Sequence, residues 1–174
     1  MKSFAIASFL MLVGVAVGAQ FNQGDLYKAL DTWDPFWMVA RSYRHPERGE
    51  QHKCVYSTKI SLTHNNYEFY QHYRQGRTGK QEHLYAGLTT DEATGEPALD
   101  VSKTYGKSGR LYTLRFWDKE NHCGILTAEI NGRQECELYA WHETARMSSA
   151  LYNCEMQFRT LCAHRYQVFF ESEC

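Results

Sequence analysis

The sequence predicts an all-β fold: an eight-stranded antiparallel up-and-down barrel, with a C-terminal α-helix packed outside and a short N-terminal helix. Three observations point there. Short runs of alternating apolar and polar residues fill the middle of the chain. Turn-forming breaks separate them. After the last run the apolar period changes from two to three or four. A two-sheet sandwich is the alternative, and a single long C-terminal helix fits it less well.

The elements follow in order. Met1-Lys2-Ser3 is a positive head, Phe4 to Val17 is an apolar run of 14 residues, and Val17-Gly18-Ala19 supplies small residues for a peptidase. This pattern predicts a signal peptide over 1–19, cut before Gln20, and a single domain over 20–174. A membrane span would need roughly 20 apolar residues, and no second such run follows. Cleavage removes Lys2, leaving 18 basic against 20 acidic side chains, a net charge of −2. A short helix is expected near Asp25 to Asp31. The strand runs are Phe36–Tyr43, Lys53–Leu62, Asn66–Arg74, Glu82–Thr90, Ala98–Tyr105, Arg110–Asp118, His122–Ile130 and Gln134–Trp141. Gln75 to Gly79, Thr94 to Pro97 and Gly106 to Gly109 read as loops, and Asn131-Gly132 as a tight hairpin. From Ser148 on, Ala150, Leu151, Cys154, Phe158, Leu161 and Cys162 recur at helical spacing. This predicts a helix of about 15 residues capped by Ser148 or Ser149.

Composition narrows the function. The near-neutral charge gives no basic surplus for a nucleic-acid partner. Twelve Tyr, nine Phe and four Trp must be buried or line a site. All six cysteines, Cys54, Cys123, Cys136, Cys154, Cys162 and Cys174, lie after the expected cut. An even count in a secreted chain predicts disulfides, with 15 connectivities open. The eight histidines are scattered, and His142-Glu143-Thr144-Ala145-Arg146 lacks the second His of a zinc-protease motif. No Gly-x-Ser-x-Gly elbow or phosphate loop occurs. The expectation is a monomeric, secreted binding protein, with no enzymatic activity, no cofactor, no metal and no membrane contact after cleavage.

Several segments carry a resemblance. Phe36-Trp37-Met38-Val39-Ala40-Arg41-Ser42-Tyr43, Lys53-Cys54-Val55, Asn121-His122-Cys123, Cys136-Glu137-Leu138-Tyr139 and Asn153-Cys154 are similar to the tick salivary lipocalins, the histamine-binding-protein family. Order and spacing match from about Asp25 to Cys174. The resemblance implies a lipocalin barrel and the bridges Cys54–Cys174, Cys123–Cys154 and Cys136–Cys162. The eight-residue spacing of Cys154 and Cys162, two turns on one helix face, agrees with it.

With those bridges, strand parity places Gly124, Leu126 and Ala128, and Glu137, Tyr139 and Trp141, inside the barrel, barring a bulge. The resemblance makes Glu137 the contact for a ligand amine and places Tyr43 at the ligand. Trp37, Tyr112, Phe116 and Tyr139 are expected to line the pocket, Asp31 to match a family acid between helix and strand, and Trp33 to plug the closed end. Two departures weaken an amine ligand. Gly124 stands where the amine-binding pattern has aspartate, and Pro46 stands where an acid is expected, with Glu47 next. Arg41, on the parity of Trp37, Val39 and Tyr43, favours a carboxylate ligand, or pairs with Glu137, or reaches the barrel rim.

The leading function is therefore sequestration of a small host mediator, histamine or serotonin, to suppress inflammation. An acidic lipid mediator, leukotriene or fatty acid, is the alternative. A protein-binding immune modulator with a filled barrel is another. A cavity of about 300 Å³ or more separates the small-molecule readings from the last.

Overall fold

Alternation along eight runs produces eight strands, and their pairing closes. The computed structural model describes residues 20–44 and 51–174. The expected signal peptide, Pro46 and Glu47 lie outside the described residues. In chain order the elements are α1 (Gln23–Leu30), β1 (Phe36–Arg41), β2 (His52–Leu62), β3 (Asn66–Gln75), β4 (Thr78–Thr90), β5 (Pro97–Ser102) and β6 (Arg110–Asp118). There follow β7 (Cys123–Ile130), β8 (Arg133–Trp141), α2 (His142–Arg146), α3 (Tyr152–Leu161) and β9 (Tyr166–Gln167). Strands β2 to β8 pair in sequence, β8 pairs β1, and β1 closes on β2 at Phe36↔Ser57 and Trp37↔Tyr56. The Asn131-Gly132 hairpin forms as expected. Both residues have positive φ, 54° and 73°, which suits the right-handed twist of the flanking strands.

The closing seam is short. Beyond Trp37, β1 pairs not with β2 but with the tail, at Ala40↔Gln167 and Arg41↔Tyr166. Val168 N–H donates to Val39 O, and Cys54 N–H donates to Val168 O. The tail is thus wedged between β1 and β2, and the Cys54–Cys174 bridge fastens it there. The other two bridges are Cys123–Cys154 and Cys136–Cys162, as the resemblance implied.

The outer helix is shorter than its periodicity suggests. α3 starts at Tyr152, Leu151 is its N-cap residue, and neither expected serine caps it. The five-residue α2, too brief to leave a period, intervenes. Cys154 and Phe158, one turn apart, are fully buried against Cys123, Ile125, Cys136 and Leu138 on the outer face of β7 and β8.

The opposite end of the barrel is closed by α1. Asn22 accepts from Asp25 N–H while the Asp25 carboxylate accepts from Asn22 N–H, a reciprocal N-cap. Leu26 and Leu30 enter the lumen core, and Trp141 Nε1–H donates to Ala29 O at 3.0 Å. Trp33, expected as the plug, is instead 77% exposed. Its ring covers the Lys59 ammonium at 4.2 Å, and Lys59 pairs with Asp31 at 2.6 Å. Leu26 and Leu30 fill the closed end, and the indole bonded to α1 there is that of Trp141.

Gly124 has a packing reason. A Cβ there would stand 2.7 Å from Phe116 O and 2.9 Å from Trp117 Cε3. The Trp117 indole occupies the space that a side chain at this position would need. Gly124→Ala should cost about 1–3 kcal/mol through overpacking, read as a lower denaturation midpoint at unchanged m-value.

Candidate functional site

Inward-facing residues of β1, β6 and β8 converge in the half of the lumen farther from α1. Cross-strand register sets Arg41 directly opposite Glu137. Both are buried, at 4% and 3% exposure. Tyr43 O–H donates to Glu137 Oε1, and Tyr139 O–H donates to Oε2 at 2.9 Å. Each carboxylate oxygen is therefore held by a phenol. Tyr139 is stacked on Phe36, with ring centroids 5.0 Å apart, which fixes its hydroxyl.

Burial pushes the Glu137 carboxyl up from its usual range. The hydrogen bonds from Tyr43 and Tyr139 and the charges of Arg41 and Arg110 oppose this shift. Burial, then the Glu137 charge, raises Tyr43, Tyr112 and Tyr139 well above the normal phenol range; Tyr43 and Tyr139 donate to Glu137, while Tyr112 accepts from Arg110.

Arg41 makes no ion pair with Glu137 within 4 Å, although its charge acts on that carboxyl. Its Nη2–H donates to Gln51 Oε1 at 3.2 Å and to His52 O at 3.5 Å, and its Cζ lies 5.1 Å from the Tyr43 ring centroid. Its buried Nε has no hydrogen-bond partner among the described residues. Of the three expected arrangements, the rim position is excluded by burial and the direct ion pair by geometry.

A cavity of about 90 Å³ adjoins this cluster, lined by Phe36, Phe69, Gln71, Tyr112, Leu126 and Tyr139 among others. Tyr112 and Tyr139 stand between it and Glu137. The space is far below the ~300 Å³ of an ordinary small-molecule pocket. It corresponds to about three waters at ~30 Å³ each.

The structure brings together Glu137, Arg41, Tyr43, Tyr112 and Tyr139. Trp37 does not join them, and its expected inward position is corrected. Met38 pairs Tyr139 and Ala40 pairs Leu138, so Val39 is an extra residue, a bulge that reverses parity. Phe36 and Met38 point in before the bulge, while Trp37 packs outside against Tyr56 and Phe169. Phe116 is corrected for the same reason. A register shift between Leu114 and Phe116 turns it outward, where it meets Phe21. Asp31 lies at the α1 end, paired with Lys59, away from Glu137.

Sequence reading missed Arg110. Its side chain hydrogen-bonds Tyr112, and the Glu137 and Tyr43 charges act on it. It shares parity with Tyr112 and Leu114, which was the available signal. Its place as the first residue of the run, next to the Gly106 to Gly109 loop, drew attention to the aromatic residues further along instead. Gln71 and Ser57, the polar residues of the cavity wall, were also missed.

This lumen, closed by a helix at one end, in a barrel whose tail and outer helix are fastened by three bridges, invites comparison with known proteins. The sequence profile of the tick histamine-binding proteins matches residues 18–174. The chain belongs to that family. Solved lipocalin structures share the fold. Japanin from Rhipicephalus appendiculatus, bound to cholesterol, is 16% identical with a TM-score of 0.57, over 84% of this chain and 98% of its own. AM182, in complex with serotonin, is 16% identical with a TM-score of 0.60, over 84% of this chain and 90% of its own. The siderocalin Ex-FABP, described as having dual ligand specificities, is 14% identical with a TM-score of 0.53, over 77% and 84%. No curated protein sequence matches. The lipocalin barrel expected from the sequence is thus observed, in a family of ligand-binding proteins.

Proposed function

We propose that this lipocalin is a secreted monomer that sequesters a compact biogenic amine, histamine or serotonin, as a sink that limits host inflammation. One observation carries the reading. Glu137 is a buried carboxylate, ringed by Tyr43, Tyr139 and Tyr112, whose cross-strand guanidinium on Arg41 hydrogen-bonds Gln51 and forms no ion pair with the carboxylate. An ammonium entering from the Tyr43 side would find a counter-charge and aromatic faces together. The lumen of about 90 Å³ falls on the filled-barrel side of the ~300 Å³ criterion, so it speaks against a long acyl chain, and even a compact amine requires the Tyr43 side to open. Family membership supports an amine, and one structural neighbour is a serotonin complex.

A second reading rests on a different observation. The unpartnered Arg41 Nε, with Arg110 nearby, would suit an acidic mediator. Calorimetric titration with histamine, serotonin and a leukotriene decides between them, repeated on Glu137→Gln and Arg41→Ala. The amine reading expects saturable amine heat in the parent chain that weakens at least tenfold in Glu137→Gln. Amine binding unaltered in that variant overturns it. Leukotriene binding alone, abolished by Arg41→Ala, establishes the acidic ligand. Silence with all three ligands favours a protein partner and a filled barrel.

A further inference from the structure

The outer face of the barrel, opposite α3, holds a larger recess than the lumen. Leu84, Ala86 and Leu88 point inward from β4, so Tyr85 and Gly87 face out. Gly87 pairs with Asn66 on β3 and Asp100 on β5. No heavy atom lies within 4 Å of where its Cβ would stand. Gly87 lies in the floor of a recess of about 430 Å³, walled by Glu68, Tyr85 and Asp100 and by Tyr105 and Lys107 of the turn after β5.

The two wall carboxylates are anchored, and Tyr105 leans on Tyr85. Tyr105 is 69% exposed, and its ring centroid lies 5.6 Å from that of Tyr85, at 75°. Glu68 is held by His83 Nε2 at 2.8 Å. Asp100 Oδ1 accepts from Gly109 N–H at 2.7 Å, which also pins the turn. Both carboxylates keep lone pairs free for a guest, and Lys107 adds a donor.

We infer that this recess is a second binding site, separate from the lumen, for a neutral pyranose sugar. A pyranose has an apolar C–H face for an aromatic side chain and a rim of vicinal hydroxyls for anchored acceptors and a donor. Two carboxylates oppose an anion. Lys107, and the His83 contact already on Glu68, oppose a free cation. The volume lies within the range of small-ligand sites.

Saturation-transfer NMR on the disulfide-bonded chain tests the site. The probes are methyl α-mannopyranoside, methyl β-galactopyranoside and N-acetylglucosamine, with N-acetylneuraminic acid as the charged control. At least one neutral sugar should bind with millimolar affinity and the acid at least tenfold more weakly. Gly87→Leu fills the hollow where space is open, and Tyr105→Ala removes an exposed ring. Each should weaken the sugar at least tenfold and leave near-UV circular dichroism and the lumen titrations unchanged. No transfer from any neutral sugar at tens of millimolar, or transfer undiminished in either variant, overturns the proposal.

Discussion

Replacing Cys54 and Cys174 together by serine should lower unfolding stability by about 3–5 kcal/mol, read from the denaturant midpoint at fixed m-value. The bridge closes a separation of 120 residues, the longest of the three, where the chain-entropy contribution is largest. The effect should reach the site as well. The tail it fastens completes the pairing of β1 at Ala40 and Arg41, with Cys54 N–H bonded to Val168 O. With the tail released, the carbonyl of Val39 loses its partners and the seam beside Arg41 opens to water. Hydrogen exchange should therefore rise at Cys54, Val168 and Phe169 before the β6–β8 amides change. Equal exchange in parent and variant at those amides would separate the tail from the seam.

The second large effect concerns charge. In the folded chain the Glu137 carboxyl is raised above its ordinary value of 4.5, chiefly by burial. Between that value and the raised one, the folded chain keeps a proton that the unfolded chain has lost. Stability therefore falls as pH rises through this window, by 1.36 kcal/mol for each unit of raised pKa. Glu137→Gln keeps the shape, offers one acceptor and removes the ionisation. The variant should gain on the parent as pH rises from 4.5 toward neutrality, while below 4.5 the difference becomes constant. Thermal melts across that range check it. A difference that stays constant with pH, or one that moves against the variant, would mean that the tyrosine and arginine neighbours offset burial completely.

The eight barrel strands, the hairpins and the bridges were readable because each has a local or family signature, whereas the two-residue tail strand β9 was not. Alternation marks a strand, Asn-Gly marks a tight turn, and the cysteine positions match those of the family. The bulge at Val39 was not readable. Phe36 to Ala40 is apolar throughout, so inner and outer faces cannot be told apart, and one inserted residue leaves no compositional trace. The shift at Arg115 hid Phe116 in the same way. Glu137 and Tyr139 were placed correctly inside because β8 pairs with β7 without a break in register. Trp33 was misjudged for another reason. An indole at a loop end reads as a plug until a distant Lys59 proves to be its partner. Cavity size lay beyond sequence altogether, since it depends on how Phe36, Phe69, Tyr112 and Tyr139 pack against one another.

The central claim is that Glu137 is the charge that reads a ligand in the lumen, and proton linkage tests it most directly. Binding heats for serotonin, which carries no group that titrates in this range, taken in buffers of different ionisation enthalpy across pH 5 to 8, give the number of protons exchanged on binding. An ammonium beside Glu137 favours its charged form and lowers its raised pKa, so the account predicts net proton release that vanishes in Glu137→Gln. Proton uptake, or release of the same size in that variant, would contradict it.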